Sequence, residues 1–406
     1  MLYRVLDPRR ALQALGHLPF RWWLVERMVG AVTWAMRTVA RGWLVYNLTG
    51  SVLALASVEA VRFLVGVLVS PLAGVICDRI EKRLVMLGCR IALVVTNLIL
   101  AALIFLGVLQ LWHIIAVTVM EALVYSVMEP VLQSILPELV NHQLLLSATS
   151  TTFVVEGVLN IMGAALAGVI IKVAGAGWVF LANAPLFALA AYALWKIPAT
   201  LVASSGSGSM RSDWMAGVRY LRCSPVLIAL LALAFARLVV MQPYGSFMAA
   251  FSRSLGYDAA GLGLLTSATG VGALLGSLII ASMGDSQSKG KLLLGSGAAA
   301  SATVAALMAT GTLVPPFLFV ILAGVFSNAA EIFTRTLTQI TCDANYRGRV
   351  ASVAMLFMNL LSLSVIPAGV LADTYGVALI VGGLAVLVLA VHVAAAVLAP
   401  GIRDLR

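Results

Sequence analysis

The sequence predicts an all-α membrane protein in which twelve transmembrane helices form two pseudo-symmetric six-helix bundles. Of the 406 residues, 62% are hydrophobic and only 10% are charged, and the mean hydropathy is +1.05. Soluble proteins are about 45–50% apolar and about 25% charged. Apolar stretches of the roughly 20 residues that a membrane-spanning helix needs recur along the chain. Lysine and arginine concentrate in alternate loops between these stretches, as in proteins that cross a membrane repeatedly.

Short turns join the predicted helices. Thr49-Gly50, Gly284-Asp285 and Tyr375-Gly376 mark three of these joins, because glycine and small polar residues interrupt apolar helices. The predicted spans are 20–48, 51–77, 84–108, 112–137, 144–172, 177–197, 226–251, 259–283, 292–311, 314–340, 349–372 and 376–399.

The longest polar interval divides the chain at residues 198–225. It begins with the run SSGSGS at 204–209, which is typical of a flexible linker. Residues 212–225 then mix basic, aromatic and apolar side chains and predict an amphipathic helix along the cytoplasmic membrane surface. The sequence therefore predicts an N-terminal bundle over 1–197 and a C-terminal bundle over 226–406.

The formal net charge of +10 follows the topology. Most loop lysines and arginines lie on one side of the predicted membrane, whereas Lys172 and Arg253 lie on the other. The side that is rich in lysine and arginine is cytoplasmic in such proteins. We therefore expect both termini in the cytoplasm of a bacterial inner (plasma) membrane protein, with membrane lipids rather than nucleic acid as partners of the basic loops.

The first predicted span is the most polar. Glu26, Gly30, Thr33, Arg37 and Arg41 fall within about one third of the helix circumference, because successive residues turn by 100°. A charge at mid-bilayer costs roughly 2.5–3.5 kcal/mol. This polar stripe must therefore face other helices or a water-filled cavity.

The two halves repeat one another. An acid followed by two basic residues ends the second span in 74–87, and the same order recurs after the eighth span in 282–294. Repeats of this kind are typical of secondary transporters whose two bundles are related by an axis along the membrane normal.

The loop Gly74-Val-Ile-Cys-Asp-Arg-Ile-Glu-Lys-Arg83 resembles the major facilitator signature Gly-x-Leu-x-Asp-Arg-x-Gly-Arg-Arg/Lys, with Glu81 at the usual glycine. Further stretches resemble its bacterial exporter branch, which includes enterobactin-type siderophore exporters, macrolide efflux pumps and transmembrane secretion effectors. These stretches are 47–64, 134–140, 212–225 and 346–350. The resemblance implies alternating access, with helices 1, 4, 7 and 10 around a central cavity.

The resemblance also implies a cytoplasmic gate in which Asp78 docks near the start of helix 11. An acid is unfavourable at the C-terminal end of its own helix and gains by facing the N-terminal end of another. The alternative is that this cluster only sets the topology. The expected gate residues are Gly74, Asp78, Arg79, Lys82, Arg83 and Arg349.

Other intramembrane charges must be paired or hydrated. Arg41 and Glu59 lie at similar depths in the antiparallel helices 1 and 2, so we expect them to bond. With Arg62 they form a predicted set of structural ion pairs, for which a pure packing role is the leading interpretation.

Three glutamates have no obvious arginine at their own depth: Glu26, Glu129 and Glu156. Burial in apolar surroundings penalises the charged form of a carboxylate, which can then bind and release a proton. The hypothesis is that Glu26, with Glu129 or Glu156, is the proton site of an antiporter.

Further polar and aromatic residues within the predicted spans are candidates for the substrate cavity, although each aromatic also fits a packing role. They are Trp34, Arg37, Arg41, Glu121, Tyr125, Asn160, Arg237, Gln242, Tyr244, Asn328, Glu331, Arg335 and Asn359. In helix 5, Gly163-Ala164 stands where related exporters often have Gly-Pro. This departure weakens a drug-antiporter assignment without excluding it.

These features predict a secondary transporter, a proton-coupled exporter of a small amphipathic molecule such as a drug or siderophore. A lipid or lysophospholipid flippase is the main alternative, because cavity arginines suit phosphate and carboxylate groups. A sensor or scaffold without transport activity is the third. The four cysteines and four histidines are dispersed, so we expect no metal site, no cofactor beyond the proton gradient and no enzyme activity. We expect a monomer.

Overall fold

The computed structural model describes residues 15–79, 81–140, 142–197, 210–283, 288–310, 316–343, 346–403 and 405, with most side chains. The first half contains α1 (Leu18–Thr49), α2 (Val52–Arg79), α3 (Lys82–Phe105), α4 (Leu111–Leu139), α5 (His142–Ala174) and α6 (Ala176–Trp195). The predicted linker interval contains α7 (Met210–Arg222). The second half contains α8 (Pro225–Ser246), α9 (Met248–Ser254), α10 (Ala259–Met283), α11 (Lys289–Thr310), α12 (Pro316–Thr341), α13 (Arg347–Ser362), α14 (Val365–Tyr375), α15 (Val377–Leu398) and α16 (Pro400–Arg403).

The all-α fold with twelve spans is confirmed. Among the described residues, eleven helical stretches are long and apolar enough to cross a membrane. The twelfth span is α1, whose 32 residues exceed the necessary length. Its five charged residues lower its mean hydropathy. Its length and its polar stripe, rather than its hydropathy alone, identify it as a span.

Two predicted spans are each divided into two helices. Pro243 lies near the end of α8, and α9 resumes after Phe247. Between α13 and α14, Pro367 cannot donate to the carbonyl of Leu363, and the N–H of Ile366 donates there instead, at 3.0 Å. Proline interrupts the regular hydrogen-bond ladder in both places.

The chain forms two compact units. Among the described residues, unit 1 takes those within 1–50, 64–206 and 256–267. Unit 2 takes those within 51–63, 207–255 and 268–406. Each unit thus corresponds broadly to one predicted bundle and adds a short segment from the other half of the sequence.

In unit 1, α1 packs closely against α5. A Cβ atom at Gly163 would lie 2.7 Å from the carbonyl oxygen of Val32 and 3.1 Å from the Cβ of Ala35. These distances are shorter than normal van der Waals contact, so only glycine allows this approach. The departure from the exporter Gly-Pro motif therefore keeps the glycine and its packing role.

The end of α5 also contacts the start of α10 within unit 1. The Ser267 hydroxyl donates to the Ile161 carbonyl at 2.8 Å, and Lys172 pairs with Asp258 at 2.9 Å. The hydrogen bond from Lys172 holds the pKa of the exposed Asp258 carboxyl below its usual value. Small residues allow the helices to meet, because a Cβ at Gly168 would lie 2.6 Å from the Ala259 carbonyl oxygen.

In unit 2, an acid at the end of α14 caps the start of α2. The Asp373 carboxylate accepts hydrogen bonds from the backbone N–H of Val52 at 2.6 Å and of Leu53 at 3.1 Å. It also accepts one from the Ser51 hydroxyl at 2.7 Å. The first N–H groups of a helix have no partner within it, so Asp373 satisfies donors that the sequence of α2 leaves open.

The amphipathic helix α7 is held in unit 2 by aromatic stacking. The rings of Tyr220 and Tyr346 lie parallel, with centroids 4.4 Å apart. The backbone N–H of Asp343 donates to the Tyr220 hydroxyl at 3.1 Å. These contacts join α7 to the segment between α12 and α13.

Candidate transport site

The polar side of α1 contacts three neighbouring helices in unit 1. Glu26 forms an ion pair with Arg90 of α3. Both side chains are fully buried, at 0% and 1% exposure. Within the described part of the chain, Glu26 Oε2 and Arg90 Nε and Nη1 find no hydrogen-bond partner. The pair neutralises its charge but leaves polar atoms unsatisfied, which makes it costly to bury.

Arg27 turns away from Glu26 toward α4 and α5. It bonds to Glu156 of α5, and its Nη1 lies 3.7 Å from an oxygen of Glu129 of α4. Two carboxylates therefore approach one guanidinium group. Adjacent residues on a helix point about 100° apart, which explains how Glu26 and Arg27 reach different partners.

These pairs correct the sequence analysis on one point. Glu26, Glu129 and Glu156 were expected to have no arginine near them, and each lies close to one. The depth of a residue in the membrane can be counted along its helix. The sequence does not show which neighbouring helix the side chain faces, so the arginine partners were missed. The expected titration of these glutamates stays a prediction.

A second buried cluster lies further along α1. Arg37 Nη1 lies 2.7 Å from one oxygen of Glu121, and Arg41 Nη1 lies 3.1 Å from the other. The Tyr125 hydroxyl accepts a hydrogen bond from Arg37, and Phe187 lies under the same guanidinium at 5.3 Å. One glutamate of α4 is thus shared by two arginines of α1, so the cluster keeps one positive charge in excess.

The predicted bond between Arg41 and Glu59 is wrong. Arg41 bonds to Glu121, whereas Glu59 bonds to Arg62 one turn along α2, at 2.7 Å. Residues three apart on a helix are neighbours, so Arg62 lies within reach of Glu59 on the same helix. The prediction gave these charges the right depth but assigned Arg41 a partner on the wrong neighbouring helix.

The main cavity of unit 1 has a volume of about 370 Å³. Its described lining comes from α1, α3, α4 and α5: Glu26, Arg27, Gly30, Ala31, Trp34, Arg90, Tyr125, Met128, Glu129, Leu132, Glu156 and Asn160. Six predicted site residues are among them, namely Glu26, Trp34, Tyr125, Glu129, Glu156 and Asn160. The structure therefore brings together all three predicted proton-coupling candidates.

Three other candidates in unit 1 lie outside this main cavity. Arg37, Arg41 and Glu121 are at most 8% exposed, and they line a separate space of only about 10 Å³. Their low exposure closes the cluster to solvent, although two positive charges there face a single negative charge. They were expected to contact substrate, and the structure places them instead in a sealed ion cluster.

A second cavity of about 270 Å³ adjoins the main cavity, with which it shares Arg27, Leu132 and Glu156. Most of its remaining lining is apolar: Trp23, Leu136, Pro137, Leu145, Thr149, Thr152 and Phe153. We call it the apolar annex. The charged main cavity and the apolar annex together form an amphipathic space.

Sequence reasoning missed Arg27 and Arg90 as cavity residues. Neither was assigned a role or a partner from the sequence. Treating every arginine of the predicted spans as a possible partner of each acid, whatever its apparent depth, would have found them.

The candidates in unit 2 form smaller polar groups. The Arg237 guanidinium donates to Ser327 at 3.0 Å and lies 3.6 Å from Glu331, which also bonds to Arg335. Two amide side chains bond across helices, Gln242 to Ser362 at 3.1 Å and Asn328 to Ser277 at 3.0 Å. Tyr244 is buried, and Asn359 is half-buried on α13.

Only part of the predicted gate can be located. Gly74, Asp78 and Arg79 belong to α2, but their side chains lie outside the described residues. Lys82 pairs with Glu138 of α4 at 2.6 Å, and Arg83 donates to the Trp195 carbonyl of α6 at 2.6 Å. Arg349 lies over the ring of Tyr346, 5.5 Å from its centroid. Lys82 and Arg83 are thus bonded within unit 1, and the docking of Asp78 stays a prediction.

The family described as "transmembrane secretion effector" matches residues 10–402 of this chain. The chain belongs to this family. The match spans all twelve helices and confirms the resemblance seen in the loop after α2 and in the exporter-like stretches.

Solved transporter structures show the same fold at low sequence identity. The nucleoside transporter NupG matches with a TM-score of 0.73 and 14% identity, covering 93% of this chain and 98% of that one. A bacterial homologue of the iron transporter ferroportin gives 0.72 and 16%, over 92% and 98% of the two chains. A bacterial homologue of the lysosomal transporter Spinster gives 0.72 and 14%, over 95% and 97%. A comparison with curated protein sequences gives no match.

These similarities establish a multi-span membrane transporter with the major facilitator fold. At this level of identity the solved structures show the fold alone. The substrate and the driving force must be argued from the residues of the cavity.

Proposed function

We propose that this transporter is a proton-coupled exporter of small amphipathic molecules in the bacterial inner membrane, with both termini in the cytoplasm. The observation that carries the proposal is the main cavity, a space of about 370 Å³ whose described lining includes three glutamates and two arginines. Titratable groups that line a transport cavity at membrane depth are typical of proton relays.

Proton exchange is best supported at Glu129 and Glu156. Both approach Arg27, so one guanidinium faces two carboxylates. When two acids share a site, the first to take up a proton relieves the repulsion between them. Glu129 has a side-chain exposure of 45%, so water in the cavity can deliver that proton.

Glu26 has a different role in this proposal. It is completely buried against Arg90, and protonating it would leave the buried arginine unpaired at a cost of several kcal/mol. We therefore assign Glu26 to holding Arg90 in place, and the exchangeable proton to the pair formed by Glu129 and Glu156.

Coupling follows from competition at the same wall of the cavity. A substrate that occupies the space beside Glu129 displaces the proton, and a new proton displaces the substrate when the cavity opens to the other side. Because both bind at one place, proton entry and substrate exit alternate.

The flippase alternative keeps only part of its support. Arg37 and Arg41 are bonded to Glu121 in a separate buried cluster. Arg27 does line the main cavity and the apolar annex, but Glu156 and Glu129 already approach its guanidinium group. A sensor without transport activity would show no gradient-dependent movement of any compound, so the same assay tests it.

The experiment is transport of a panel of cationic, neutral and anionic amphipathic compounds into proteoliposomes, with and without a pH gradient. We expect at least one compound to accumulate only with the gradient. Glu156→Gln should abolish accumulation while leaving downhill exchange, because the amide cannot carry the proton. Glu59→Gln, which changes an ion pair of α2, is the matched control and should behave like the wild type. Accumulation that ignores the gradient would overturn the proposal.

A further inference from the structure

We propose that unit 2 carries a binding site for a monoanionic group, a carboxylate or a phosphodiester, at the Arg335 guanidinium of α12. Arg335 and the buried Arg237 of α8 share one acid, Glu331. None of these three residues is part of the described lining of the main cavity in unit 1. The inference therefore goes beyond the proposed function and does not depend on it.

Two guanidinium groups face a single carboxylate in this part of unit 2. Among the described residues, the charged groups that act on Arg237 are Glu331 and Arg335. His392 of α15 also lies close to Arg237, but a histidine is neutral or positive and adds no negative charge. Within the part of the chain that the structure describes, one positive charge of this cluster thus has no counter-charge of its own.

The buried arginine of the cluster is incompletely bonded. The Arg237 side chain is 9% exposed, its Nη1 donates to the Ser327 hydroxyl at 3.0 Å, and its Nε finds no partner among the described residues. Its Nη2 lies 3.6 Å from a Glu331 oxygen, which is too long for a hydrogen bond. A buried charge is costly unless it is paired and hydrogen-bonded, so Arg237 gains if this carboxylate moves closer.

Glu331 is held instead by the exposed arginine of the cluster. The Arg335 side chain is 72% exposed and bonds to Glu331 one turn earlier in α12. Exposed pairs of this kind stabilise a protein little, because water competes for both charges. Glu331 can therefore turn from Arg335 to Arg237 at small cost when another anion replaces it at Arg335. After this exchange each guanidinium group has one counter-charge, so the site suits a monoanion.

The depth of the cluster in the membrane makes it accessible from water. Glu331 lies ten residues before Thr341, the last residue of α12, which is about 15 Å along the helix axis. Its side chain is 36% exposed, and exposure of a charge to lipid tails at this depth is unfavourable. The exposed side of Glu331 therefore borders water, and a dissolved anion can reach the neighbouring Arg335.

The chemistry of the guanidinium group determines the kind of anion. Its N–H donors form a planar fork that matches two oxygens of a carboxylate or a phosphate. A carboxylate and a phosphodiester each carry a single negative charge on two such oxygens. The first belongs to soluble organic acids and the second to phospholipid headgroups, so the experiment must distinguish these two sources.

Naphthalene-2-carboxylate and the neutral naphthalene-2-carboxamide test the charge, because they have nearly the same shape. Their binding to the purified full-length protein in a nonionic detergent is measured by isothermal titration calorimetry. We expect the carboxylate to bind about tenfold more tightly than the carboxamide. Arg335→Gln should weaken carboxylate binding about tenfold, which equals the loss of 1.4 kcal/mol, and should leave carboxamide binding unchanged. Arg335 is exposed, so its replacement should leave the fold intact.

Glu331→Gln separates this site from a general attraction of anions to a basic protein. It removes the carboxylate that competes for Arg335, so carboxylate binding should become several-fold tighter. Arg62→Gln is the matched control, because Arg62 also bonds to a glutamate one turn away on its own helix. That pair has one carboxylate for one guanidinium group, and the change should affect neither probe.

Lipid added to the same samples identifies the source of the anion. Displacement of the carboxylate by phosphatidylglycerol, and not by zwitterionic phosphatidylcholine, would assign the site to a lipid headgroup. Tight carboxylate binding that neither lipid displaces would assign it to a soluble compound.

The inference is overturned if the carboxylate binds no more tightly than the carboxamide, or if neither probe binds. It is also overturned if Arg335→Gln has no greater effect than Arg62→Gln, or if Glu331→Gln weakens carboxylate binding. The assay needs no proton gradient and changes no residue of the main cavity. Its failure would therefore leave the proton exchange at Glu129 and Glu156 standing, and failure of that exchange would leave the anion site standing.

Discussion

At the scale of single residues, four of the five charges of α1 are stable in the membrane because each finds a partner on another helix. Arg37 and Arg41 share Glu121, Glu26 meets Arg90, and Arg27 meets Glu156. Removing one partner of a buried ion pair is far more costly than never having buried the pair. The two arginines that share one acid are the most sensitive point of this arrangement.

We expect Glu121→Gln to destabilise the protein by about 3–5 kcal/mol, because it leaves two buried guanidinium groups with a neutral amide. The free energy of unfolding, measured by denaturant titration in detergent micelles, checks this value. Adding Arg41→Met to the Glu121→Gln variant should recover part of the loss, because one of the two unpaired charges is then removed.

The control for this prediction is Glu59→Gln. Its partner Arg62 has a side-chain exposure of 28%, and pairs of this kind contribute about 1 kcal/mol or less. An equal loss of stability in Glu121→Gln and Glu59→Gln would contradict the idea that two buried arginines depend on one glutamate.

The candidate site was predicted in part from the sequence. The polar stripe of α1, the three glutamates and Trp34 were identified because charge inside an apolar helix is costly wherever it points. The partners were not, since Arg41 could reach Glu59 or Glu121 and only the packing of α1 against α4 selects the second. The sealed position of Arg37 follows from the same packing and has no signal in the sequence.

At the scale of helices, ends and small residues determine how the elements meet. Asp373 of α14 occupies the capping position of α2, and Gly163 lets α5 approach α1. Both are contacts between helices that are not neighbours in the sequence. The first is a helix cap, and the second depends on the absence of a side chain at Gly163.

Asp373→Ala should lower the free energy of unfolding by about 1–2 kcal/mol, as does the loss of other helix caps. Asp373→Asn keeps one accepting oxygen and should fall between the alanine variant and the wild type. The neighbouring change Thr374→Ala removes only a hydroxyl that bonds within its own helix, so it serves as the control. If Asp373→Ala unfolds at the same denaturant concentration as Thr374→Ala, the cap contributes nothing.

Gly163→Ala should destabilise the protein by about 1–3 kcal/mol, because an added methyl group forces α5 away from α1. Gly383→Ala is the matched control, since a Cβ there would meet no described heavy atom within 4 Å. Thermal unfolding in detergent compares the two. A Gly163→Ala variant as stable as Gly383→Ala would refute the close approach of these helices.

At the scale of the whole molecule, the sequence predicted the twelve spans with ends close to the observed ones. Apolar length and loop charge determine such spans almost independently of packing. The breaks between α8 and α9 and between α13 and α14 were not predicted, because Pro243 and Pro367 are compatible with a kinked continuous helix as well as with two helices. The division into two compact units differs from the predicted bundles only through 51–63 and 256–267.

The family shows a membrane transporter. In the proton antiport that we propose for it, Glu129 and Glu156 share Arg27 and exchange the coupled proton. This account makes the proton an obligatory partner of transport rather than a modulator of it. It also places the exchange at one wall of one cavity, so substitutions of a few residues there can test it.

The most direct measurement is proton movement in proteoliposomes that hold an acidic interior and a pH-sensitive dye. Addition of a transported amphipathic compound outside should raise the interior pH in wild-type vesicles as protons leave. Vesicles with Glu156→Gln should keep their interior pH while still equilibrating the compound. Transport of the compound by the wild type with no change in interior pH would contradict the account.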